Sequence, residues 1–465
     1  MNRSDSTDKA ESGLARLIAA MVIVAGAALS LGLNLPGHLS FDSVVQLSEG
    51  REGVYGLSGH PPVMSWLLGV ADALMPGAAL FVVFDTVLIG VSLVALVLLG
   101  GRASWLTLAL CVGAMALPQV MIYPAIVWKD VLFAAAATAG FTALAGAARW
   151  WGRPAWRYGL LAAASLLIAL AALTRQHGAI ILPFAAMTVA WSAAVTPGGG
   201  NIRRAILHGL GILGASLVVV AIGFKALSPP NTGLATIAGG YAGVQAYDVV
   251  SAMAMAPEVP MKVLHARSPW LETLLRTKGV PAYSPVRADT LGPVLEEVGD
   301  HGGDGGALVA QWWAMVLHEP LLYARVRAKA FEWVLLTPSK TQCVLIYTGV
   351  DGPPDEMSNL GIQHRRTAHD RALAAYALGF ARTPIYSHAV YGGVGLVLLG
   401  LLLLRRRPAD MAVAAMLAAA MSFTLVFAVI SIACDYRYIY DLDLSVIAAG
   451  LYCAASFGGA RSGRG

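Results

Sequence analysis

An aspartate followed by a proline-stiffened turn forms the first segment of this sequence whose residues could do chemistry. Asp42 and Gln46 lie within SFDSVVQ at residues 40–46, and His60 opens the turn HPP. Between Asp42 and His60 the sequence predicts two or three turns of interfacial helix, and the prolines then redirect the chain. Asp42 could accept a proton as a general base, supported by Gln46 and His60, whereas a solvated loop acid is the alternative.

The second segment places a lysine and an acid directly after a tryptophan, as Trp128-Lys129-Asp130. The ammonium group of Lys129 could bind a phosphate while the carboxylate of Asp130 holds and orients it. Trp and Lys also favour the membrane–water interface, so an interfacial anchor is the alternative. The segment therefore predicts either a phosphate site or a helix end at the membrane surface.

The third segment is Arg175-Gln176-His177, in a connection too short to be a mobile loop. Arginine presents planar donors that suit phosphate oxygens, and His177 adds a donor or proton carrier near neutral pH. Gln176 lies between them and could support either residue. The alternative is an arginine that extends its stem along apolar surface to reach water.

The fourth segment lies near the C-terminus and contains Asp435, Tyr436, Arg437 and Tyr438. Aromatic rings beside an arginine could line a site for a lipid phosphate or a sugar, where rings stack and hydroxyls form hydrogen bonds. They could equally form an aromatic belt at the membrane surface. Arg437 would be a third phosphate-binding cation, besides Lys129 and Arg175.

The composition requires that these segments be positioned by membrane helices. Of 465 residues, 57% are apolar and only 13% are charged, and the mean hydropathy is +0.67. A soluble chain carries about a quarter charged residues. The apolar runs are continuous rather than alternating, which favours helices over a transmembrane barrel. The sequence thus predicts an all-α polytopic membrane protein.

Ten apolar runs are long enough to cross a membrane about 30 Å thick in the hydrocarbon region. A cleaved signal peptide is the alternative for the first run, but its length and the runs that follow disfavour this. The predicted spans are residues 17–35, 78–99, 106–122, 131–148, 158–174, 179–196, 205–224, 385–404, 411–433 and 438–457.

The distribution of Lys and Arg predicts which side each connection occupies. If the N-terminal tail is cytoplasmic, fourteen basic residues lie on that side in short connections and four lie on the other. Basic residues concentrate in cytoplasmic loops, so both termini are predicted to be cytoplasmic and all four segments extracytoplasmic. The four outer residues are Arg51, Lys129, Arg175 and Arg437.

The predicted organisation is seven spans, an outer domain and three further spans. Residues 1–16 form a cytoplasmic tail, and residues 17–226 form a seven-helix module whose first outer loop is 36–77. Residues 227–384 form an extracytoplasmic domain in which two amphipathic helices, 306–317 and 321–336, are broken at Pro320. Residues 385–465 form the last three spans and a short tail.

The remaining unusual residues predict neither a metal site nor a disulfide framework. Cys111, Cys343, Cys434 and Cys453 lack metal-ligand spacing, and two of them lie within apolar runs. Asp85 is an acid inside a predicted span, where acids are usually functional unless they reach the interface. We therefore expect no cofactor, although the outer His and Asp side chains leave a divalent metal as an alternative.

These four segments, at these places in the layout, resemble the GT-C superfamily of integral-membrane glycosyltransferases. That superfamily includes protein mannosyltransferases, the lipid A aminoarabinose transferase and oligosaccharyltransferase catalytic subunits. Asp42 stands where the family has its first-loop acid, and the Arg437-Tyr438 pair is similar to a late Arg-Tyr motif. The first loop lacks the Asp-Glu pair of several members, which favours a metal-independent enzyme.

The resemblance implies an inverting glycosyltransferase that uses a polyprenyl-phosphate sugar at the outer face of a bacterial inner membrane. Asp42 would be the catalytic base, and Lys129, Arg175, His177 and Arg437 would bind the donor phosphate. The acceptor would be a cell-envelope glycan, lipid or protein, and nucleic acid is not expected as a partner. The supporting residues would be Gln46, His60, Trp128, Asp130, Gln176, Asp435, Tyr436 and Tyr438.

Two other functions are compatible with the sequence. A ligase or polymerase of lipid-linked glycans also uses a large outer loop with Arg and His, and its donor would be a glycan diphosphate. A transporter or lipid flippase would need polar residues along a path through the membrane. The predicted spans carry little of that kind beyond Asp85 and His208, which favours an enzyme acting on one face.

Overall fold

The computed structural model describes residues 3–56, 59–195, 201–228, 234–301, 305–337, 339 and 342–457. Within these residues the chain is helical, with isolated β-bridges instead of extended strands. Nine described helices are long and apolar enough to cross a membrane, or up to ten if one bent pair forms a single span. The predicted fold class, an all-α polytopic membrane protein of about ten spans, is confirmed.

The described helices follow one another along the whole chain. In chain order they are α1 (Arg3–Asn34), α2 (Phe41–Glu52), α3 (Pro62–Leu74), α4 (Ala79–Gly100), α5 (Trp105–Ala116), α6 (Pro118–Met121), α7 (Lys129–Arg149), α8 (Pro154–Thr174), α9 (Leu182–Val195), α10 (Ile202–Leu227), α11 (Leu234–Met255), α12 (Lys262–Arg267), α13 (Pro269–Leu274), α14 (Val280–Ala282), α15 (Gly292–Asp300), α16 (Gly305–His318), α17 (Pro320–Leu336), α18 (Pro354–Leu360), α19 (Ala368–Gly379), α20 (His388–Arg405), α21 (Pro408–Ile430) and α22 (Tyr440–Phe457). A π-helical turn, Leu275–Gly279, and short 3₁₀ turns at Tyr123–Ala125, Gly178–Ile181, Ala288–Leu291, Pro384–Tyr386 and Tyr436–Ile439 complete the set.

One predicted span differs from the structure. The prediction of a continuous helix over residues 106–122 is wrong, because α5 ends at Ala116 and the chain bends by 70° before the next helical segment. Pro118 disfavours helical backbone at Leu117, which is extended with φ −68° and ψ 138°. The new helix begins at Pro118, a position where the missing N–H costs nothing.

The chain forms two compact units. The first comprises Met1–Pro229, Ile346–Phe423 and Ile439–Gly465, and the second comprises Pro230–Leu345 and Thr424–Tyr438. The predicted outer domain, 227–384, therefore contributes residues to both units. Its placement outside the cell, and that of both termini inside, stay predictions. The C-terminal tail with Arg461 and Arg464 lies outside the described residues.

In the first unit, α7 is the central helix and positions the residues that follow Trp128. In its membrane-spanning stretch 94% of the residues are buried, and the helix packs against α4, α8 and α22. Its many Ala and Gly residues permit this, since small side chains let helices approach closely in membranes. At Gly140, a Cβ atom would lie 2.5 Å from the side chain of Ile168 in α8.

Residues 36–77, the predicted first outer loop, contain a compact pair of helices, α2 and α3. Their backbones touch at Gly50 and Gly69, where an added Cβ on either residue would lie 2.2 Å from a backbone oxygen of the other helix. An ion pair from Arg51 to both carboxylate oxygens of Asp72, at 2.7 and 2.8 Å, joins the same helices. The predicted helix between Asp42 and His60 is therefore present as α2, which begins at Phe41, and its place at the membrane surface stays a prediction.

The second unit packs helices around a buried ion pair. Asp248 of α11 is fully buried and accepts hydrogen bonds from Arg327 Nη1 at 2.5 Å and Trp312 Nε1 at 2.9 Å. Arg327 also donates to backbone oxygens of Ala428 and Ser431. The two predicted amphipathic helices around Pro320 are confirmed as α16 and α17, which carry Trp312 and Arg327 into this core.

A disulfide joins Cys343 to Cys434 in the second unit. The expectation of no disulfide was wrong for this pair because 91 residues separate the two cysteines, and no sequence spacing signals such a contact. Cys111 and Cys453 are buried in apolar helices and unpaired, as predicted. Structural disulfides persist in oxidising compartments.

Breaking the Asp248–Arg327 pair should strongly destabilise the second unit. Arg327→Leu leaves a fully buried carboxylate without its cation, which we expect to cost about 3–5 kcal/mol in the free energy of unfolding. The measurement is denaturant unfolding of the purified chain in detergent. The control is Lys278→Gln, which removes an exposed ion pair to Glu297 and should cost no more than about 1 kcal/mol. Equal effects of the two variants would contradict this structural role.

Candidate functional site

Three of the predicted site residues form a chain of contacts in the first unit. Lys129 Nζ lies 2.6 Å from His60 Nδ1, and His60 Nε2 lies 3.8 Å from Asp42 Oδ1. A lysine ammonium has only donors, so His60 Nδ1 accepts and the ring proton sits on Nε2, facing Asp42. The imidazole thus connects the predicted base to the predicted phosphate-binding lysine. Asp42 is 31% exposed and can be reached from solvent.

Local structure explains why Asp42 and Lys129 lie together. Ser40 caps α2 and exchanges capping contacts with Ser43, which places Asp42 in the first helical turn. Trp128 Nε1 donates to Ser40 Oγ at 2.9 Å, and Ser43 Oγ donates to the carbonyl of Val127. The N-terminus of α2 is therefore tied to the residues that open α7, where Lys129 is the first helical residue.

Arg175 and Asp130 form a buried ion pair next to the contacts that join Asp42, His60 and Lys129. Arg175 Nη1 contacts Asp130 Oδ1, and the side chains are 7% and 2% exposed. The guanidinium carbon of Arg175 also lies 5.7 Å from the ring centre of Phe423 in α21. The sequence predicted that Asp130 orients its neighbour Lys129. The structure shows Asp130 contacting Arg175 and thereby fixing the second predicted cation.

His177 is a half-buried, neutral ring two residues after Arg175. Its ring stacks on Phe423 with centres 4.7 Å apart. Burial, and then the charges of Arg175 and Lys129, lower the pKa of His177 to about 3. The ring is therefore neutral near pH 7, so it can offer a hydrogen bond but not a third positive charge. Gln176 Nε2 donates to the carbonyl of Gly59 at 3.4 Å, which links this connection to the first outer loop.

Gln46 is buried one helical turn after Asp42. The side chain is 1% exposed, and within the described chain its Nε2 has no hydrogen-bond partner. Residues four apart lie on the same helix face, so Gln46 and Asp42 share a face of α2. A buried amide donor beside the predicted base can bind a polar substrate group.

The late aromatic segment belongs to the second unit. Arg437 Nε lies 3.4 Å from Asp435 Oδ2, and its guanidinium lies 5.5 Å from the ring centre of Tyr438. Tyr438 stacks on Phe427 at 6.0 Å, and Tyr436 is fully buried. These four residues thus form a local cluster near the disulfide, and their role stays a prediction.

A network of hydrogen bonds around the buried His38, just before α2, was not predicted from the sequence. His38 Nε2 contacts Asn34 Oδ1 at 3.1 Å, and His38 Nδ1 accepts from the backbone N–H of Gly349 at 3.0 Å. Arg365 donates to the carbonyl of Gly37 at 2.7 Å, and Asp370 lies 3.8 Å from His38. More than 300 residues separate His38 from Gly349, Arg365 and Asp370 along the chain, so no local pattern revealed these contacts.

The same network brings residues 346–370 against the first loop. Leu39 pairs with Val350 in a parallel bridge, and Val350 pairs with Arg365 in an antiparallel one. Tyr347 thereby lies with its ring centre 6.4 Å from that of Trp128. These residues and Phe423 complete the surroundings of the site, and only the three-dimensional fold identifies them.

Lowering the pH should destabilise the protein through His38. Burial, and then the charge of Arg365, lower the pKa of His38 from 6.5 to about 4. Between pH 6.5 and about pH 4, His38 therefore binds a proton in the unfolded chain but not in the folded one. The free energy of unfolding consequently decreases as the pH falls through this range. One such group contributes at most about 1.4 kcal/mol per pH unit. His38→Asn should reduce the slope of unfolding free energy against pH, whereas the exposed control His301→Gln should keep it. An unchanged slope in His38→Asn would contradict the assignment.

Two further predictions concern metals and the intramembrane acid. Across the described ranges no group of three or more His, Cys, Asp or Glu side chains is arranged to hold a metal ion. Asp85 is fully buried in α4, and neither of its carboxylate oxygens has a hydrogen-bond partner in the part of the chain that is described.

Two solved structures of an archaeal oligosaccharyltransferase are similar in fold. One is AglB from Archaeoglobus fulgidus in complex with an inhibitory peptide and a dolichol-phosphate, at 15% identity and a TM-score of 0.42. The other is the Archaeoglobus fulgidus oligosaccharyltransferase tethered to an acceptor peptide containing the NVT sequon, at 16% identity and a TM-score of 0.41. Each similarity covers 94% of this chain and 50% or 49% of the solved chain.

The chain thus spans about half the length of these solved chains. The likeness concerns the arrangement of helices. No protein-family model matches the sequence, and no curated protein matches it. The residues of the site, rather than this likeness, support the function proposed below.

Proposed function

We propose that this protein is a membrane glycosyltransferase that moves a sugar from a polyprenyl-phosphate donor to an acceptor hydroxyl. The observation that supports it most directly is the contact chain from Asp42 through His60 to Lys129, beside the Arg175–Asp130 pair. It brings one accessible carboxylate together with two cations. A base and a phosphate-binding pair are the two functions that such a transfer requires.

The transfer would proceed by a single displacement. The acceptor oxygen attacks the anomeric carbon, its proton passes to Asp42, and the bond between that carbon and the phosphate oxygen breaks. The electron pair leaves with the phosphate, whose additional negative charge is stabilised by Lys129 and Arg175. Attack opposite the leaving group inverts the anomeric configuration. His60, which faces Asp42 through Nε2–H, would hold the carboxylate in position.

Arg175 is suited to bind the phosphate while it is held by Asp130. A guanidinium has five N–H donors, so it can hold a carboxylate and a phosphate together. The contact with Asp130 and the ring of Phe423 fix its position before the donor binds. Such preorganised charge stabilises a transition state more effectively than groups that must move. Neutral His177 adds a hydrogen-bonding group beside the same phosphate.

We place this reaction at the outer face of a bacterial inner membrane, with both termini in the cytoplasm. Fourteen basic residues against four in the short connections support that orientation. The Cys343–Cys434 disulfide supports an oxidising location for the second unit. The lipid tail of the donor would lie among the membrane helices, and the acceptor would be a cell-envelope glycan, lipid or protein. The role of Arg437 in binding the donor phosphate stays a prediction from the sequence.

The purified protein, assayed with labelled donors, tests this proposal. A sugar on a polyprenyl monophosphate should be transferred to an envelope glycan or lipid fraction, and the polyprenyl monophosphate should be released. Transfer only from a glycan diphosphate would identify a ligase or polymerase instead. Movement of the donor across proteoliposomes without transfer would identify a flippase.

Metal removal should leave this transfer unchanged. We propose that Lys129 and Arg175 supply the positive charge that a divalent cation would otherwise provide at the leaving phosphate. Incubation with EDTA, followed by the transfer assay, should give the same rate within about twofold. Loss of activity on EDTA treatment and its recovery with Mg²⁺ or Mn²⁺ would contradict this part of the proposal.

A further inference from the structure

A groove on the first unit lies between the opening turns of α8 and α10, remote in sequence from the segments of the proposed site. It has a volume of about 430 Å³. That is within the range of about 300–1,000 Å³ typical of small-molecule sites. Most of its walls are apolar, and two of its three polar residues, Tyr158 and His208, lie at the end where α8 and α10 begin, which we call the polar end. The lining residues are Tyr158, Leu161, Ala162, Ser165, Leu207, His208, Gly211, Ile212 and Ala215.

Two arginines flank that polar end. The guanidinium carbon of Arg157 lies 4.4 Å from the ring centre of Tyr158 and 5.4 Å from that of Trp151. The ring of Trp151 in turn lies 5.8 Å from that of His208. Arg204 precedes His208 by four residues, and its carbonyl oxygen contacts His208 Nδ1 at 2.7 Å. The guanidinium of Arg157 therefore lies over a ring that lines the groove, and the backbone of Arg204 lies one helical turn before His208.

Arginines concentrate at this end of the groove, in a stretch of sequence that contains no acids. Residues 131–247 contain five basic residues near the starts of α8 and α10 and no Asp or Glu. None of these five forms an ion pair with an acid in the part of the chain that the structure describes. Both helices begin at this end, so their dipoles add further positive potential. The five are Arg149, Arg153, Arg157, Arg203 and Arg204.

We propose that this groove binds an anionic diacyl phospholipid. The headgroup phosphate would contact Arg157 and Arg204, and an acyl chain would lie along the apolar wall formed by Leu161, Leu207 and Ile212. The exposed ring of Trp156, at the start of α8, marks the depth of a membrane interface, where lipid phosphates lie. Basic pockets between membrane helices are suited to anionic headgroups, and uncompensated charge favours them over zwitterionic ones.

Lipid binding to the purified full chain in neutral detergent tests the proposal. Dioleoyl phosphatidylglycerol should bind at least about tenfold more tightly than dioleoyl phosphatidylcholine. Glycerol phosphate alone should compete poorly, because it lacks the acyl chains. Equal binding of the two lipids, or competition by glycerol phosphate as effective as that by the lipid, would overturn the proposal.

Two variants separate the charge from the groove. Arg157→Gln with Arg204→Gln should weaken phosphatidylglycerol binding by about 30-fold, since each basic residue near an anionic lipid contributes roughly a factor of five. Gly211→Leu should fill the groove and weaken binding while every arginine remains. A Cβ atom at Gly211 meets nothing within 4 Å, so this substitution is compatible with the fold.

The matched control is Arg406→Gln with Arg407→Gln, which removes two arginines near the C-terminal end of α20. It should leave binding unchanged, and size-exclusion elution should verify that every variant is folded. If the control weakened binding as much as the groove variants, general attraction to basic residues would replace the proposal. Unchanged binding in Gly211→Leu would also overturn it.

Discussion

Asp42→Asn should lower kcat for sugar transfer by about 10²–10⁴-fold, the range typical of a lost general base. The amide keeps the size of the side chain, but at neutral pH it cannot take the proton from the hydroxyl of the acceptor substrate. Donor binding should change little, because the cations Lys129 and Arg175 remain. The measurement is steady-state transfer with purified variants, with kcat and KM for the donor determined separately.

The control for this prediction lies on the same helix. Glu52→Gln also removes a carboxylate from α2, at an exposed position in its last turn, and should leave kcat unchanged. Normal turnover in Asp42→Asn would show that the base is elsewhere. His60→Gln adds a graded comparison: it removes the ring that faces Asp42 and should cost less than loss of the carboxylate itself.

Arg175→Gln should lower the rate of transfer by about 10²–10³-fold, because it removes preorganised charge at the leaving phosphate. It should also destabilise the protein, since Asp130 then remains buried without its cation. These two effects can be separated. The double variant Asp130→Asn with Arg175→Gln removes both charges, so it should recover much of the stability while transfer stays slow.

Transfer rates and thermal unfolding in detergent, measured on the same preparations, check this prediction. Arg51→Gln is the control, because Arg51 forms an ion pair with Asp72 in the first outer loop that we assign no role in phosphate binding. Arg51→Gln should lower the unfolding temperature, whereas the transfer rate per folded molecule should change little. If the double variant regained both stability and transfer, Arg175 would be a structural residue only.

Much of the fold could be predicted because the membrane imposes it. Backbone groups must be satisfied within each helix, so long apolar runs such as residues 78–99 and 411–433 correspond to α4 and α21 within a few residues. The broken span at Pro118 shows the limit of hydropathy. A proline inside an apolar run can end the helix without changing the composition of that run.

The candidate site could be predicted in its residues but not in all its contacts. The segment Trp128-Lys129-Asp130 suggested that the lysine and acid act together, yet successive residues of a helix point in different directions. Asp130 accordingly contacts Arg175, whereas Lys129 contacts His60. These partners come from other helices and loops, and a single sequence carries no signal for them.

The surroundings of the site were less predictable still. Phe423 lies within an apolar span and has no feature that distinguishes it from other core residues, although it supports both Arg175 and His177. His38 depends on residues 349–370, which the sequence assigned to a separate outer domain. Non-local packing therefore determines which residues support Asp42 and its neighbours.

The central claim is that a lipid-linked phosphate binds between Lys129 and Arg175 with its sugar facing Asp42. An experimental structure of the protein with a bound polyprenyl phosphate tests it most directly. We expect phosphate oxygens within hydrogen-bond distance, about 2.7–3.2 Å, of Lys129 Nζ and an Arg175 guanidinium nitrogen. A phosphate that contacts neither side chain, with both still in their present contacts, would contradict the account.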